Sequence, residues 1–555
     1  MKKLTITIIS IIISLQAFSQ KEEWIREFWN YEKTGMTDLI TTYDHGYLLL
    51  TYINWNYSIK WAWMIKTDVN GEILWDKKIG NGMDGTIFKS VYQDSGGEFL
   101  LAGSTVIYDA EKGDSFFMKL NSCGEKEWCR IFNKAGSGTS YDYGANIFPL
   151  ENKVGYIALV GQWGDDFGPG VFKGIWIFRL DMNGNLLWIK NVFDEVHPEA
   201  WNEIPESMIK SKYLTDEGKE KFVITAWTIY NDFGLPYGWG KTMMCAVDED
   251  GDELWWAIHH QDEPYNSKPE NSVEDKYGNI YTVGRDESYN DGTSDYYPAL
   301  FKTGKNGEKL FQKYIIDNTQ KANAFCINIM NDTILDIGGV WKYHNQPNFA
   351  SIARTDTSGN LILDKKVLQN EASLYRSTKT IDNKQLYMTF VPFGTSYIKV
   401  LLFKFNYDLE YDTLYTQPFD YDYLCDNLPI ASDTIGIDDC DIWTGFPGEI
   451  EYRAAKYLLI FPNPADNRVT IQLPEYTADE QKWGTMTSRH YNLQYHKDAV
   501  LRVFDLFGRQ VMEHSLRNTE GDSVELDISN LTSGIYLINL FEKDKLMSSG
   551  KFVKK

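Results

Sequence analysis

Short apolar runs recur along the chain, each bounded by Gly, Asn or Asp. GYLLLTY at Gly46, GEFLLAG at Gly97, GYIALVG at Gly155 and KFVITAW at Lys221 are four of them. NIYTVG at Asn279, TILDIGG at Thr333 and QLYMTF at Gln385 complete the series. Runs this short, rich in β-branched and aromatic residues, predict strands and not helices.

Behind each run stands a second recurring segment. It has a basic residue, then x-Asp/Asn-x-x-Gly, then a large apolar residue four positions on. It reads KTDVNGEILW at 66–75, KLNSCGEKEW at 119–128 and RLDMNGNLLW at 179–188. It continues as AVDEDGDELW at 246–255, KTGKNGEKLF at 302–311 and RTDTSGNLIL at 354–363, with a worn copy, KFNYDLEYDT, from Lys404. The glycines at 71, 124, 184, 251, 307 and 359 lie 53, 60, 67, 56 and 52 residues apart. The Asp/Asn-x-x-Gly step predicts a hairpin turn, because Gly supplies the positive φ that tight turns require. One less regular strand before each pair makes four strands in about 55 residues, the size of a propeller blade. The expectation is an all-β chain: a seven-bladed β-propeller over 21–421, followed by a small C-terminal β-sandwich. WIREFWN at 24–30 resembles the strands after the glycines. An N-terminal strand completing the last blade would remove an exposed edge.

The two ends read differently. Lys2 and Lys3, an apolar run from Leu4 to Leu15 and Ala17-Phe18-Ser19 form a signal peptide over 1–19. The run is short for a membrane span, so no transmembrane segment is expected in the mature chain. After a linker over 422–455 come YLLIFPNPADNRVTIQL at 457–473, LRVFDLFGRQV at 501–511 and LDISNLTSGIYLINL at 526–540. With Pro462-Asn463-Pro464, Phe504-Asp505-x-x-Gly508-Arg509 and Leu531-x-x-Gly534-Ile535-Tyr536, residues 456–555 resemble the C-terminal sorting domain of the type IX secretion system. The stretch 475–497 is longer and more polar than that family leads one to expect. The resemblance implies a β-sandwich read by the outer-membrane secretion machinery and normally cleaved as the protein is anchored or released. The destination is then the outer-membrane surface or the medium.

Charge narrows the partners. The formal net charge is −23. Residues 456–555 hold thirteen acidic and thirteen basic residues, so the acidity lies wholly in the body. Such a body repels phosphate backbones and anionic membranes, which makes nucleic acid a poor partner. A carbohydrate or a protein is the expected ligand.

Export permits disulfides. Cys123 and Cys129 flank one hairpin turn, and Cys425 and Cys440 close a sixteen-residue segment, so each pair is a candidate bridge. Cys245 and Cys326 sit in apolar strands and read as buried thiols. The turn carboxylates are most simply structural, holding backbone N–H groups. The densest copy, Asp248, Asp250 and Asp252, has the hard oxygens that calcium takes, and no other cofactor is expected. The long connections at 161–174, 228–241 and 285–298 mix aromatics, carboxylates and glycine. Trp163, Trp239 and Tyr296 are the candidate ligand platform, since apolar sugar faces pack on rings while hydroxyls donate to carboxylates. The competing reading folds these rings back on neighbouring blades. No nucleophile motif or metal-ligand spacing surrounds the body's histidines, and no catalytic residue is assigned. The expected function is a secreted or cell-surface binding module. The alternative is a propeller glycoside hydrolase or lyase using paired carboxylates.

Overall fold

The computed structural model describes residues 23–29, 33–55, 58–82, 85–105, 113–133, 140–151, 154–164, 174–192, 200–230, 239–259, 266–290, 293–316, 319–343, 346–369, 372–393, 397–417, 432–444, 458–472, 499–505, 509–517, 523–542 and 545–555. Residues 1–19, expected as a signal peptide, and Cys425 and Gly508 lie outside them.

After β1 (Ile25–Phe28), strands follow in antiparallel groups of four. They are β2–β5 (Lys33–Thr41, Tyr47–Trp55, Ser58–Thr67, Ile73–Ile79), β6–β9 (Thr86–Gln93, Phe99–Thr105, Asp114–Leu120, Lys126–Asn133) and β10–β13 (Ser140–Pro149, Tyr156–Gly164, Gly174–Leu180, Leu186–Asn191). Next come β14–β17 (Ala200–Lys210, Lys221–Tyr230, Trp239–Asp248, Glu253–Ile258), β18–β21 (Asn266–Glu274, Ile280–Asn290, Thr293–Thr303, Lys309–Tyr314) and β22–β25 (Thr319–Ile329, Ile334–Tyr343, Asn348–Asp356, Leu361–Gln369). The last group has three strands in sequence, β26–β28 (Arg376–Lys379, Gln385–Phe393, Tyr397–Phe405). Its fourth is β1, antiparallel to β28 with Ile25 opposite Phe403. First strands touch in the order β2, β6, β10, β14, β18, β22, β26, and β26 touches β2. The body is an all-β, propeller-type ring.

Its core lies between neighbouring sheets. Trp75, Leu48 and Met64 of one group pack with Phe88, Phe99 and Phe116 of the next. Trp24, just ahead of β1, and Phe28 of β1 pack with Leu39, Tyr47 and Leu386 across the closure. The repeated tryptophan and glycine meet across these seams. A Cβ on Gly184 would stand 2.7 Å from the Trp128 ring, and one on Gly251 would stand 2.9 Å from Trp188. At the closure Trp24 takes the same place over Gly71. The worn copy keeps its turn without glycine, with Leu409 held at φ 60°.

Two further strands follow the ring. β29 (Ser432–Ile435) pairs in parallel with β5, and β30 (Asp441–Thr444) pairs in parallel with β9. Together they strap the outer edges of the first two sheets. Cys440 is bonded to Cys129, 311 residues away. This corrects both short-range pairings: Cys129 does not bridge to Cys123, nor Cys440 to Cys425. The reason is register, since Asp441 opposite Arg130 sets Cys440 beside Cys129. Cys123 is disulfide-bonded as well. Cys245 and Cys326 are buried thiols outside any disulfide, as expected, and burial pushes the Cys326 thiol up to about 11.

Glu449–Lys555 is a separate compact unit. Its strands form two sheets, β31-β32-β35 (Leu459–Phe461, Arg468–Gln472, Ser523–Asp527) and β34-β33-β36-β37 (Gln510–Ser515, Ala499–Asp505, Gly534–Glu542, Lys545–Lys554). Val469, Leu501, Ile538 and Phe552 share one core between them.

Candidate functional site

Each of the first six groups carries an extra residue where its innermost strand meets the next strand outward. Register slips at Thr37, Lys89, Ala145, Glu206, Glu270 and Phe325. A bulge of this kind re-aims a side chain at the expense of one ladder position. Because these strands encircle the axis, their side chains meet across sheet boundaries. Lys268 Nζ lies 3.2 Å from Glu206 Oε1 and 3.3 Å from Glu270 Oε1. Asn323 Nδ2 donates to Glu270 Oε1 at 3.0 Å. Lys89 Nζ stands 3.6 Å from the centre of the Tyr143 ring. That ring fits because Gly161 has no Cβ, which would stand 2.5 Å from it, and its hydroxyl donates to the Pro205 carbonyl at 3.0 Å. Arg376 Nε donates to the Thr37 carbonyl at 2.7 Å, and the Phe325 and Tyr375 rings lie 4.3 Å apart.

The electrostatics are those of a crowded interior. Burial lowers the Lys89 ammonium to about 8, with Lys268 and Arg376 adding repulsion and Glu206 and Glu270 opposing. Burial also works to lower Lys268, but the two glutamates outweigh it and the net shift is upward. Burial raises the Asp38 carboxyl, against Arg376 and the N–H groups of Val91 and Leu39 that its oxygens accept. Burial pushes the Tyr143 phenol well above its usual range. The ring thus offers ammonium and guanidinium donors beside carboxylate acceptors.

Sequence reasoning missed Lys89, Tyr143, Glu206, Lys268 and Glu270. Their signal is faint but present: Pro205-Glu206 and Pro269-Glu270 recur in consecutive repeats. Proline lacks the N–H that a ladder needs and suits a bulge.

The outer candidates fall at one end of three consecutive sheets. Trp163 pairs with Tyr141 near the end of β11, and Trp239, the first residue of β16, pairs with Tyr230. Tyr296 on β20 pairs with Glu287. Register runs from these positions inward to the ring: Tyr143 pairs with Gly161, two residues before Trp163. Tyr296 is already engaged. Arg285 lies 5.0 Å from its ring centre, and burial, then Glu287, raises its phenol.

The acidic turn is structural in its geometry. Asp248 Oδ1 accepts the N–H groups of Asp250 and Asp252, both at 2.9 Å. Asp181 and Asp356 do the same in their own copies. The Asp248, Asp250 and Asp252 carboxylates do converge. Lys219 Nζ sits on two of them, 2.8 Å from Asp248 and 2.9 Å from Asp250, and Lys190 lies 2.6 Å from Asp252. Two lysines thus bring positive charge to this turn.

In the C-terminal unit the expected motif residues tie the two sheets together. Asn463 donates Nδ2 to the Lys551 carbonyl at 3.0 Å and accepts the Val553 N–H at 2.9 Å, anchoring β37. Pro462 and Pro464 flank it in cis peptides. Leu531 packs on the core, and Gly534 opens β36. The Tyr536 ring stacks on Phe552, and its hydroxyl donates to the Thr532 carbonyl at 2.8 Å. Residues 459–555 match the family described as secretion system C-terminal sorting domain. The C-terminal unit is a sorting domain. A chain that carries this sorting domain is exported by type IX secretion to the cell surface or beyond it.

No curated protein matches the chain. Among solved structures, the chain resembles a protein of unknown function from Dyadobacter fermentans DSM 18053 at 12% identity and TM-score 0.35, over 69% of this chain and 98% of that one. It resembles a polysaccharide lyase PL25 ulvan lyase at 8% identity and TM-score 0.44, over 68% and 95%. A Hadza microbial sialidase, Hz136, stands at 11% identity and TM-score 0.36, over 67% and 65%. Likenesses this distant carry no functional argument. Among the described residues no helix is long and apolar enough to cross a membrane.

Proposed function

We infer that the body is a seven-bladed propeller acting as an extracellular binding module for saccharide, delivered by its sorting domain. The observation that carries this is shared placement. Trp163, Trp239 and Tyr296 stand at the same end of consecutive sheets, and register runs from there to the polar ring. Aromatic residues at that end, with carboxylates and amines on the innermost strands, suit the apolar and hydroxyl sides of a sugar.

One observation favours the enzymatic alternative. Glu206 and Glu270, from neighbouring sheets, both reach the Lys268 ammonium, which brings two carboxylates together. A glycosidase needs such a pair. Glycan-array binding by the mature chain, with and without Trp163→Ala plus Trp239→Ala, tests the binding reading. Binding that drops at least tenfold in the double variant supports it. Turnover of a glycoside that Glu206→Gln abolishes would replace it with the enzymatic one.

A further inference from the structure

Cation and anion are unevenly matched in the axial ring. Lys268 is fully engaged by Glu206 and Glu270. Asp38 spends both oxygens on the backbone of Leu39 and Val91. Lys89, by contrast, has no carboxylate within ion-pair distance among the described residues; its ammonium rests on the Tyr143 ring. Arg376 gives Nε to the Thr37 carbonyl and Nη1 to the Tyr375 carbonyl, so its two described bonds are to neutral oxygens. Lys89 and Arg376 come from strands in different sheets and repel each other. Two cations that repel each other, neither in a direct ion pair among the described residues, define a place for an anion.

A second observation points the same way. Asn323 is 6% exposed, and its Oδ1 has no partner while its Nδ2 is spent on Glu270. A buried amide oxygen left unpaired is costly, and a hydroxyl donor from a ligand would satisfy it. The flanking glutamates restrict the anion. A phosphate dianion would face two carboxylates, whereas a monoanion with hydroxyls would donate to them.

We propose that the axial ring binds the carboxylate of a uronic acid residue between Lys89 and Arg376, with sugar hydroxyls donating to Glu206, Glu270 and Asn323. This rests on the saccharide reading and names the sugar class. Burial lowers the Lys89 ammonium to about 8. A bound carboxylate favours its charged form, so binding takes up a proton as pH nears that value. Affinity is then full below about pH 7 and falls as the solution passes pH 8. The charged and titratable groups that face Lys89 are Tyr143, Glu206, Lys268, Glu270 and Arg376.

Calorimetry with the full mature chain, using oligogalacturonate and its methyl ester as probes, tests this. The expected results are at least tenfold weaker binding of the ester, and a similar loss in Lys89→Met with an unchanged melting temperature. Arg376→Lys should retain part of the affinity. Acid-form binding should weaken between pH 7 and pH 9. Equal binding of acid and ester overturns the proposal, as does full affinity in Lys89→Met. If neutral glycans bind through Trp163 and Trp239 while oligogalacturonate does not, the saccharide reading stands and this one falls. If no saccharide binds, both fall.

Discussion

At Gly251 two demands fall on one residue. The turn holds it at φ 74°, and the Trp188 ring of the neighbouring sheet stands where a Cβ would be, 2.9 Å away. Gly218 meets only the first demand, with φ 82° and nothing within 4 Å of a built Cβ. Gly218→Ala should therefore cost about 1 kcal/mol, the price of left-handed backbone. Gly251→Ala adds a clash inside a packed seam and should cost about 2–4 kcal/mol. Urea denaturation of both variants checks this; equal losses would mean that the seam is loose. The sequence repeats Gly and Trp at a fixed spacing because turn and seam reuse the same geometry, and so both were legible. The ring residues were not. A bulge turns a side chain by breaking the period-2 pattern, and one lysine or glutamate in a short strand leaves no period to read.

The groups of four were legible for a related reason: every hairpin is local, and its turn chemistry is written in four or five residues. The strap is the opposite case. β29 and β30 are four residues each, pair in parallel, and join strands some 300–360 positions earlier. Nothing nearby in sequence announces such a partner, which is why the disulfide was assigned to the wrong neighbours. The strap covers two outer edges and adds ion pairs, Lys77 to Asp433 at 3.3 Å and Arg130 to Asp441 at 2.8 Å. Chain entropy alone gives a loop of this length on the order of 5 kcal/mol. A body ending at 421, where the blade pattern stops, should thus be markedly less stable than one ending at Gly448. Hydrogen exchange should locate the difference at Ile73–Ile79 and Lys126–Asn133, with β18–β21 unchanged. Uniform loss of protection would mean that the strap holds the whole ring and not two edges.

Taken whole, the molecule divides its work between two units that differ in charge. The body carries the acidity and the sorting domain is nearly neutral. Met1–Gly448 and Glu449–Lys555 each hold a core of their own. The body's ring is closed by β1 and its outer edges are strapped by residues that all precede the division. None of those contacts depends on the sorting domain, so its removal should leave the body folded. An N-terminal leader addresses one membrane only, and the outer membrane needs a second address. Deleting Glu449–Lys555 should therefore leave a body with wild-type melting behaviour that accumulates in the periplasm of its native host. Fractionation with immunoblotting reads the location, and resistance to added protease reads the fold. A leader and fluorescent protein fused ahead of Glu449–Lys555 should move outward, and Asn463→Ala, which frees β37 from both of its Asn463 bonds, should slow that export. A truncated body that is folded and reaches the surface or the medium in normal amounts would show that the address lies elsewhere in the chain.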